Sequence, residues 1–200
     1  MGSSHYAPEP CGVAGCPSPA LTGTDRCWEH LDDRQAYVDA LPAGNLVAAW
    51  LVGVDLSGRD LSGANLAQAR LSGASLRGTN LRDADLRGTF LDGADLRGAD
   101  LSGANLEFAV LGATDVSDAR FAGANLQRSN LVGTRGHRVD FTNANLYYAR
   151  PGNADFQEAV FDGADIQRTI FRRANLTGAV MTNTTGHANF ENACMEGVKR

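Results

Sequence analysis

Bulky apolar residues recur at every fifth position from Leu56 to Met181. Of the 26 positions in this register, 16 are Leu and five are Phe (Phe121, Phe141, Phe156, Phe161 and Phe171). Val116, Ile166 and Met181 add three more, and only Gly136 and Pro151 break the run. Two residues before each of these centres, the 27 positions from 54 to 184 hold 17 Ala, six Thr and one Ser, with Val54, Arg59 and Val139 the larger exceptions. A helix repeats about every 3.6 residues and a strand about every 2, so a period of five requires a corner once per repeat.

A bulky residue and a small one, two positions apart, point to the same side of an extended segment. Each pentad therefore offers one inward pair and three outward or corner residues. Glycine ends many pentads, Gly58, Gly63 and Gly73 among them, and supplies backbone that a tight turn accepts. At Gly136 and Pro151 the expectation is a bulge or kink where the backbone leaves the coil, made locally basic by Arg135, His137, Arg138 and Arg150.

The segments Ala64-Asn65-Leu66, Ala84-Asp85-Leu86, Ala94-Asp95-Leu96, Ala104-Asn105-Leu106 and Ala174-Asn175-Leu176 resemble the repeat of the pentapeptide repeat family. The resemblance covers about three quarters of the chain. It implies an all-β solenoid, a right-handed quadrilateral β-helix with four pentads per coil. Coils stacked about 4.8 Å apart would make a rod on the order of 30 Å long from these repeats.

Ahead of the repeats, Cys11, Cys16, Cys27 and His30 have four, ten and two intervening residues. Two close pairs joined by a short loop suit a tetrahedral Zn2+ ion, with free thiols or disulfides as the alternatives. The segment is similar to treble-clef and zinc-knuckle modules, whose first pair more often has two intervening residues than four. Four protein ligands leave no open position, so such a metal would be structural. Residues Leu31 to Leu41 read as a short amphipathic helix, with Asp32 and Asp33 in its first turn and Pro42 and Gly44 beyond it, placed to cap the first coil. Leu46 and Leu51 already keep the five-residue register; the first coil begins near Gly44, or Asn45 to Val52 continues as a capping helix. The organisation expected is a flexible tail (1-10), a Cys3His zinc module (11-31), a capping helix and transition (32-53) and a β-solenoid (54-200). Near Gly186 the register slips by one residue, and Phe190, Met195 and Val198 close the rod or pair with a second copy as a homodimer through the C-terminal coils.

The net charge is -5, with 17 acidic and 16 basic side chains from residue 54 onward and six against two before it. With a 20-residue coil, outward residues sort into four sides. The side centred on 56, 76 and 96 is net -2, the next net -3, the third neutral, and the fourth, centred on 71, 91 and 111, net +3. The resemblance implies that some relatives imitate B-DNA and protect DNA gyrase or topoisomerase IV from quinolones. Here that would draw on the acidic column Asp60, Asp100 and Asp140, and the near-neutral rod weakens it. Phe108, Arg128, Tyr148 and Arg168 stack in one column with Tyr147 beside it, a cation-π ladder and a candidate docking strip. Phe90, Val110 and Ile170 lie outward on the basic side. Asn65, Asn105, Asn125 and Asn145 share another column, read as a hydrogen-bonded ladder. His137 and His187 lie two and a half turns apart and cannot share a metal.

No nucleophile has an arranged base beside it, so the chain reads as a non-enzyme. No apolar run reaches the length of a membrane span and no signal-peptide pattern opens the chain, which reads as cytoplasmic. Arg26 and Arg34 alone are too few cations for the N-terminal module to bind nucleic acid directly. The function expected is an interaction scaffold, with topoisomerase protection as its most specific form. The alternatives are an adaptor linking two protein or nucleic-acid partners through zinc module and rod, and a structural assembly protein polymerising through rod ends.

Overall fold

A computed structural model of the chain describes residues 9–200. The tail assigned to 1–10 lies outside the described residues except for Glu9 and Pro10. From Asn45 onward the backbone winds as a four-sided solenoid, with a parallel bridge every five residues to the residue 20 positions on, as in Asp55 with Ser75 and Asp60 with Asn80. The buried positions are the centres and the small residues two before them. Leu96 and Ala99, for example, have no exposed surface.

One pentad shows why the repeat has its consensus. Asp95 N–H donates back to Ala74 O (2.9 Å), and Leu96 and Gly98 N–H donate forward to Asp115 O (2.8 Å) and Ser117 O (3.0 Å). Ala99 N–H closes the corner on Leu96 O (3.0 Å). Only the Arg97 N–H is left, because the corner turns it away from the neighbouring coils, and Asp95 Oδ1 accepts it at 3.2 Å. The Asp or Asn before each centre thus supplies the fifth acceptor, an Asx turn. The same bond recurs at Asn65, Asp85, Asn105 and Asn125. Inside, the hydroxyls of Thr79, Thr89 and Thr114 donate to the carbonyls of Leu56, Leu66 and Leu91 of the preceding coil, so these buried polar groups are satisfied.

The corners are more demanding than glycine alone would indicate. Every position two after a centre from 48 to 183 has φ between 53° and 71°. Phe108 (59°), Arg128 (56°) and Tyr148 (57°) adopt this left-handed conformation as readily as Gly58 (69°), at a cost of about 1 kcal/mol each. The ladder holds them there. At Gly186 the glycine is required: φ is 85°, and a Cβ would lie 2.5 Å from Gln167 Cβ and 2.6 Å from its Cα. This is the one-residue slip read from the sequence, and beyond it the rungs pair at 19 residues, as in Ile170 with Asn189 and Asn175 with Cys194.

Three expectations are corrected. The solenoid starts at Asn45, whose bridge to Asn65 opens the ladder. Of the two starts read from the sequence the one near Gly44 holds, and residues 45–53 belong to the coil and not to a capping helix or a transition before residue 54. No bulge forms at Gly136 or Pro151. Gly136 N–H keeps its rung to Asp155 O (2.8 Å), and its missing side chain is replaced by Phe156, whose Cδ1 and Cε1 would lie 2.7 Å from an added Cβ. Pro151 has no N–H to give Ile170 O, and its cost is one rung: the Arg150–Ile170 bridge is missing from an otherwise continuous column. The surroundings of Gly136 are not basic either, because Arg135, His137 and Arg138 pair with Asp115, Asp155 and Asp118. Beside Pro151, Arg150 has no ion pair among the described residues, and that stretch is basic as expected.

Ahead of the coil, a 3-10 turn (Trp28–His30) leads to helix α1 (Arg34–Ala40), shorter than the expected Leu31 to Leu41. Asp33 is its N-cap and accepts from Ala36 N–H at 2.8 Å. Val38 is buried in the same cluster as Leu46 and Leu51, with Leu31, Tyr37 and Leu41 packed against it. Thr22 exchanges two bonds with Trp50 on the open edge of the first coil, N–H to O (3.0 Å) and Trp50 N–H to Thr22 Oγ1 (2.6 Å). Phenylalanines dominate the later core: Phe121, Phe141 and Phe161 stack at 5.1 Å intervals, and Phe190 lies flat on Phe171 at 5.2 Å. Among the described residues no helix is long and apolar enough to cross a membrane.

Replacing Leu96 by Asp places an unpaired charge between apolar layers and is expected to cost about 4 kcal/mol or more. Asp140→Ala should cost about 1 kcal/mol through loss of the Asx acceptor, whereas Asp140→Asn, which keeps it, should melt like the parent. Thermal melts followed by circular dichroism compare the three; equal loss from Asp140→Asn and Asp140→Ala would contradict this role for the side chain.

Candidate functional site

Two regions carry chemistry. In the first, Cys11, Cys16, Cys27 and His30 converge with their donor atoms all within 4.8 Å of one another. Cys11 Sγ and Cys27 Sγ lie 3.4 and 3.3 Å from His30 Nδ1, and Cys16 Sγ lies 3.8 Å from Cys27 Sγ. A zinc tetrahedron with Zn–S of about 2.3 Å and Zn–N of about 2.0 Å has edges of roughly 3.8 Å between sulfurs and roughly 3.5 Å between sulfur and nitrogen. Three of the six edges therefore match such a polyhedron, and the other three lie within 4.8 Å. The knuckle Cys11–Cys16 and the 3-10 turn each bring one close pair, and the Gly12 N–H to Asp25 O bond (2.7 Å) ties them together. Backbone N–H groups of Val13 and then Cys27 pull the Cys11 thiol down to about 6, as expected where amides face a thiolate. Burial pushes the Cys27 thiol up.

The second region is the outer surface of the rod, where the coil places residues 20 apart in columns. The acidic column is discontinuous: Asn80 and Arg120 stand between Asp60, Asp100 and Asp140. Their carboxylates are also engaged. Asp60 Oδ1 accepts from Ser62 N–H (3.1 Å) and Asn80 Nδ2 (2.8 Å), and Asp140 from Thr142 N–H (2.9 Å). Asp100 accepts from Ser102 and pairs with Arg82 at 3.2 Å. Burial raises the Asp100 carboxyl, but the Ser102 hydrogen bonds and Arg82 outweigh it and leave it below its ordinary value. The side-chain hydrogen bonds of Arg87 and Arg97 do the same for Asp85 and Asp95.

The docking strip read from the sequence forms as two stacks. Arg128 lies over the Phe108 ring (5.4 Å) and Arg168 over Tyr148 (5.0 Å), with Arg168 also donating to the Tyr148 hydroxyl and Tyr147 edge-on to Tyr148 at 4.7 Å. Beside it is a stack that sequence reading missed: Arg70 lies between Trp50 (5.2 Å) and Phe90 (3.8 Å). Their 20-residue spacing was the signal. The asparagine ladder reduces to one bond, Asn125 Nδ2 to Asn105 Oδ1 (3.1 Å): Asp85 intervenes between Asn65 and Asn105, and the side chains of the neighbours Asn125 and Asn145 do not bond to each other.

The family model described as pentapeptide repeats (8 copies) matches residues 49–88, 79–118, 119–150 and 152–185. The chain belongs to the pentapeptide repeat family. With membership comes the hand of the solenoid, a right-handed β-helix. Among solved structures it is similar to alr5209, a pentapeptide repeat protein from Nostoc Pcc 7120, with 38% identity over 44% of this chain and 69% of that one and a TM-score of 0.41. HetL of Nostoc sp. strain PCC 7120, described as involved in heterocyst differentiation regulation, is 28% identical over 78% of this chain and 89% of its own, with a TM-score of 0.28. A trypsin-treated form of QnrB1, a plasmid-mediated fluoroquinolone resistance protein, is 25% identical over 74% of this chain and 77% of that one, with a TM-score of 0.42. No curated protein matches the chain.

The lowered carboxyls set a pH response. A group whose folded-state pKa lies below its unfolded value contributes stability above the unfolded value, and loses it as pH falls toward the folded one. For Asp60, Asp85, Asp95, Asp100 and Asp115 the loss begins near the ordinary carboxylate value of about 3.9 and continues below it. Melting temperature should be flat for the rod between about pH 7 and 5 and fall below about pH 4; a fall complete above pH 5 would contradict it.

Proposed function

We propose that this protein is a non-catalytic protein-interaction scaffold. The observation that supports this most directly is the ladder itself. The interior is filled by Leu, Phe and Ala, and the backbone rungs join coil to coil, so recognition falls to side chains fixed in columns on the outside. The N-terminal module and α1 cap the first coil, where Thr22 occupies the edge at Trp50 and Val38 covers the first apolar layer.

Cys11, Cys16 and Cys27 through Sγ and His30 through Nδ1 hold a structural Zn2+ ion in this reading. Zinc supplies four-coordinate cross-linking and no open position for a reaction. Protein purified without chelator should carry close to one equivalent of zinc, and its removal should change Trp28 fluorescence, since Trp28 lies in the turn that carries His30. Less than about half an equivalent, with no response to chelation, overturns the assignment.

Topoisomerase protection is the narrower reading, and DNA imitation within it depends on Asp60, Asp100 and Asp140. Charge reversal at these positions would also break their Asx turns. The triple variant D60N/D100N/D140N keeps the acceptors and removes three charges. If imitation operates, this variant loses protection of gyrase supercoiling against a quinolone while melting like the parent. Unchanged protection removes DNA imitation, and a parent without effect on supercoiling removes a topoisomerase as the partner.

A further inference from the structure

The fourth side of the rod departs furthest from the Asx rule, which the third side keeps throughout and the first and second keep in part. In the position before the centre it carries Trp50, Arg70, Phe90, Val110, Arg150 and Ile170, and only Asn130 keeps the Asx acceptor. The third side has Asn or Asp at every such position from 45 to 165. As a result the backbone N–H groups of Ser72, Asp92, Gly112, Gly152 and Arg172 have no acceptor among the described residues, and they open outward at the corners. Unfilled donors are thus most numerous on this side; the first and second sides have three each among the described residues, at Arg77, His137 and Gln157 and at Ala122, Asp162 and Thr182, and the third has none.

The arginines follow the same division. Arg77, Arg82, Arg87, Arg97, Arg135 and Arg138, on the other sides, each hold an aspartate, and Arg120 is the exception there among the described residues. On the fourth side and the corner next to it, Arg70, Arg128, Arg150, Arg168 and Arg173 form no ion pair among the described residues, and only Arg172 reaches a carboxylate, Glu191 at 3.6 Å. Arg70, Arg128 and Arg168 instead stack on rings, which fixes each guanidinium plane and leaves N–H edges outward for bidentate acceptors. Three of the four large apolar residues that are most exposed also lie here: Phe108 (52%), Val132 (43%) and Ile170 (38%).

Two depressions punctuate the strip. One, of about 360 Å³, is walled by Trp50, Arg70, Phe90 and Phe108. The other, of about 190 Å³, lies among Val132, Ile170, Arg150, Arg172 and Arg173, at the rung that Pro151 deletes. Four coils separate them, about 19 Å at the strand spacing, the reach of roughly six extended residues.

We propose that this side is the docking surface for an extended acidic polypeptide segment with apolar side chains interspersed. Its carboxylates and carbonyls meet the arginine edges and open amides, and its apolar residues fill the two depressions. A polynucleotide fits less well, because guanidinium groups already cover ring faces on which bases would stack, and because two other sides carry net negative charge. The inference rests on the scaffold reading and narrows it to one surface and one partner chemistry.

The test is fluorescence anisotropy with a labelled peptide of roughly eight residues, long enough to span both depressions, alternating Glu with Leu. The same peptide with Lys in place of Glu, and an oligothymidylate of similar length, are comparison probes. The parent should bind the Glu-Leu peptide in preference to both, with affinity falling as salt rises. The variant R128Q/R150Q/R168Q should bind it about tenfold more weakly, and R87Q/R97Q, which alters ion-paired arginines on other sides, should bind like the parent. Melting curves and sedimentation of all three proteins establish that fold and association state are matched. Preference for oligothymidylate overturns the proposal in favour of a nucleic-acid surface. Self-association lost in the triple variant overturns it in favour of a second copy of this chain. No binding of the acidic peptide, or equal binding by parent and triple variant, removes this surface while the scaffold reading stands. Photo-crosslinkers on all four sides, finding no macromolecular partner in a native lysate, would remove the scaffold reading itself.

Discussion

Everything in this molecule follows from the need to satisfy five backbone N–H groups per corner. Stacking coils accounts for three of them and the corner closes a fourth, as Asp95, Leu96, Gly98 and Ala99 show. The fifth has no partner that a neighbouring coil can reach. A short side chain two residues earlier is placed to accept it, and Asp or Asn has the reach and the acceptor. The consensus is therefore set on the inside by volume and on the outside by one hydrogen bond. The left-handed corner comes with this arrangement, and the summed rungs hold even Phe108 and Tyr148 in it.

This division explains what could be read from the sequence. The five-residue register, the small residues at 64 to 179 and the slip at Gly186 were legible because inward volume leaves a periodic trace. The cysteine and histidine cluster was legible from spacing, and the donor atoms do converge. Gly136 and Pro151 were misread, because a defect in a periodic pattern says nothing about its neighbours. Phe156 fills the gap from the next coil, and Pro151 gives up a single rung. The start near Gly44 was legible as one of two readings, because Leu46 and Leu51 keep the inner register, while Trp50 in the place of an Asx acceptor left a capping helix open as the other. The Trp50–Arg70–Phe90 stack was encoded in 20-residue spacing, but it emerges only when outward residues are aligned as columns and compared with the acceptor they displace.

The outer hydrogen bond is also where the sequence has freedom. Giving up an Asx acceptor costs on the order of 1 kcal/mol at an exposed corner, little beside the apolar stack, so one side can give up nearly all of its acceptors for contact while the others keep most of theirs. Charge pairing shows the same economy. Most arginines on structural sides are neutralised by neighbouring aspartates, several of which also serve the turns, as Asp85 and Asp95 do for Arg87 and Arg97. Those on the fourth side have no such neighbour because the turn-serving acid is gone.

The one-residue slip at Gly186 bears on how such a chain can lengthen over its history. Between Asn45 and Asn183, duplicating a block of 20 residues returns every side chain to its own column, so the rod can grow by whole coils without redesigning any side. Past Gly186 the rungs pair at 19 while Phe190 still lies over Phe171, so a duplicated coil that includes the slip would be 19 residues long and would need its own glycine at the shortened corner, where Gln167 leaves no room for a Cβ.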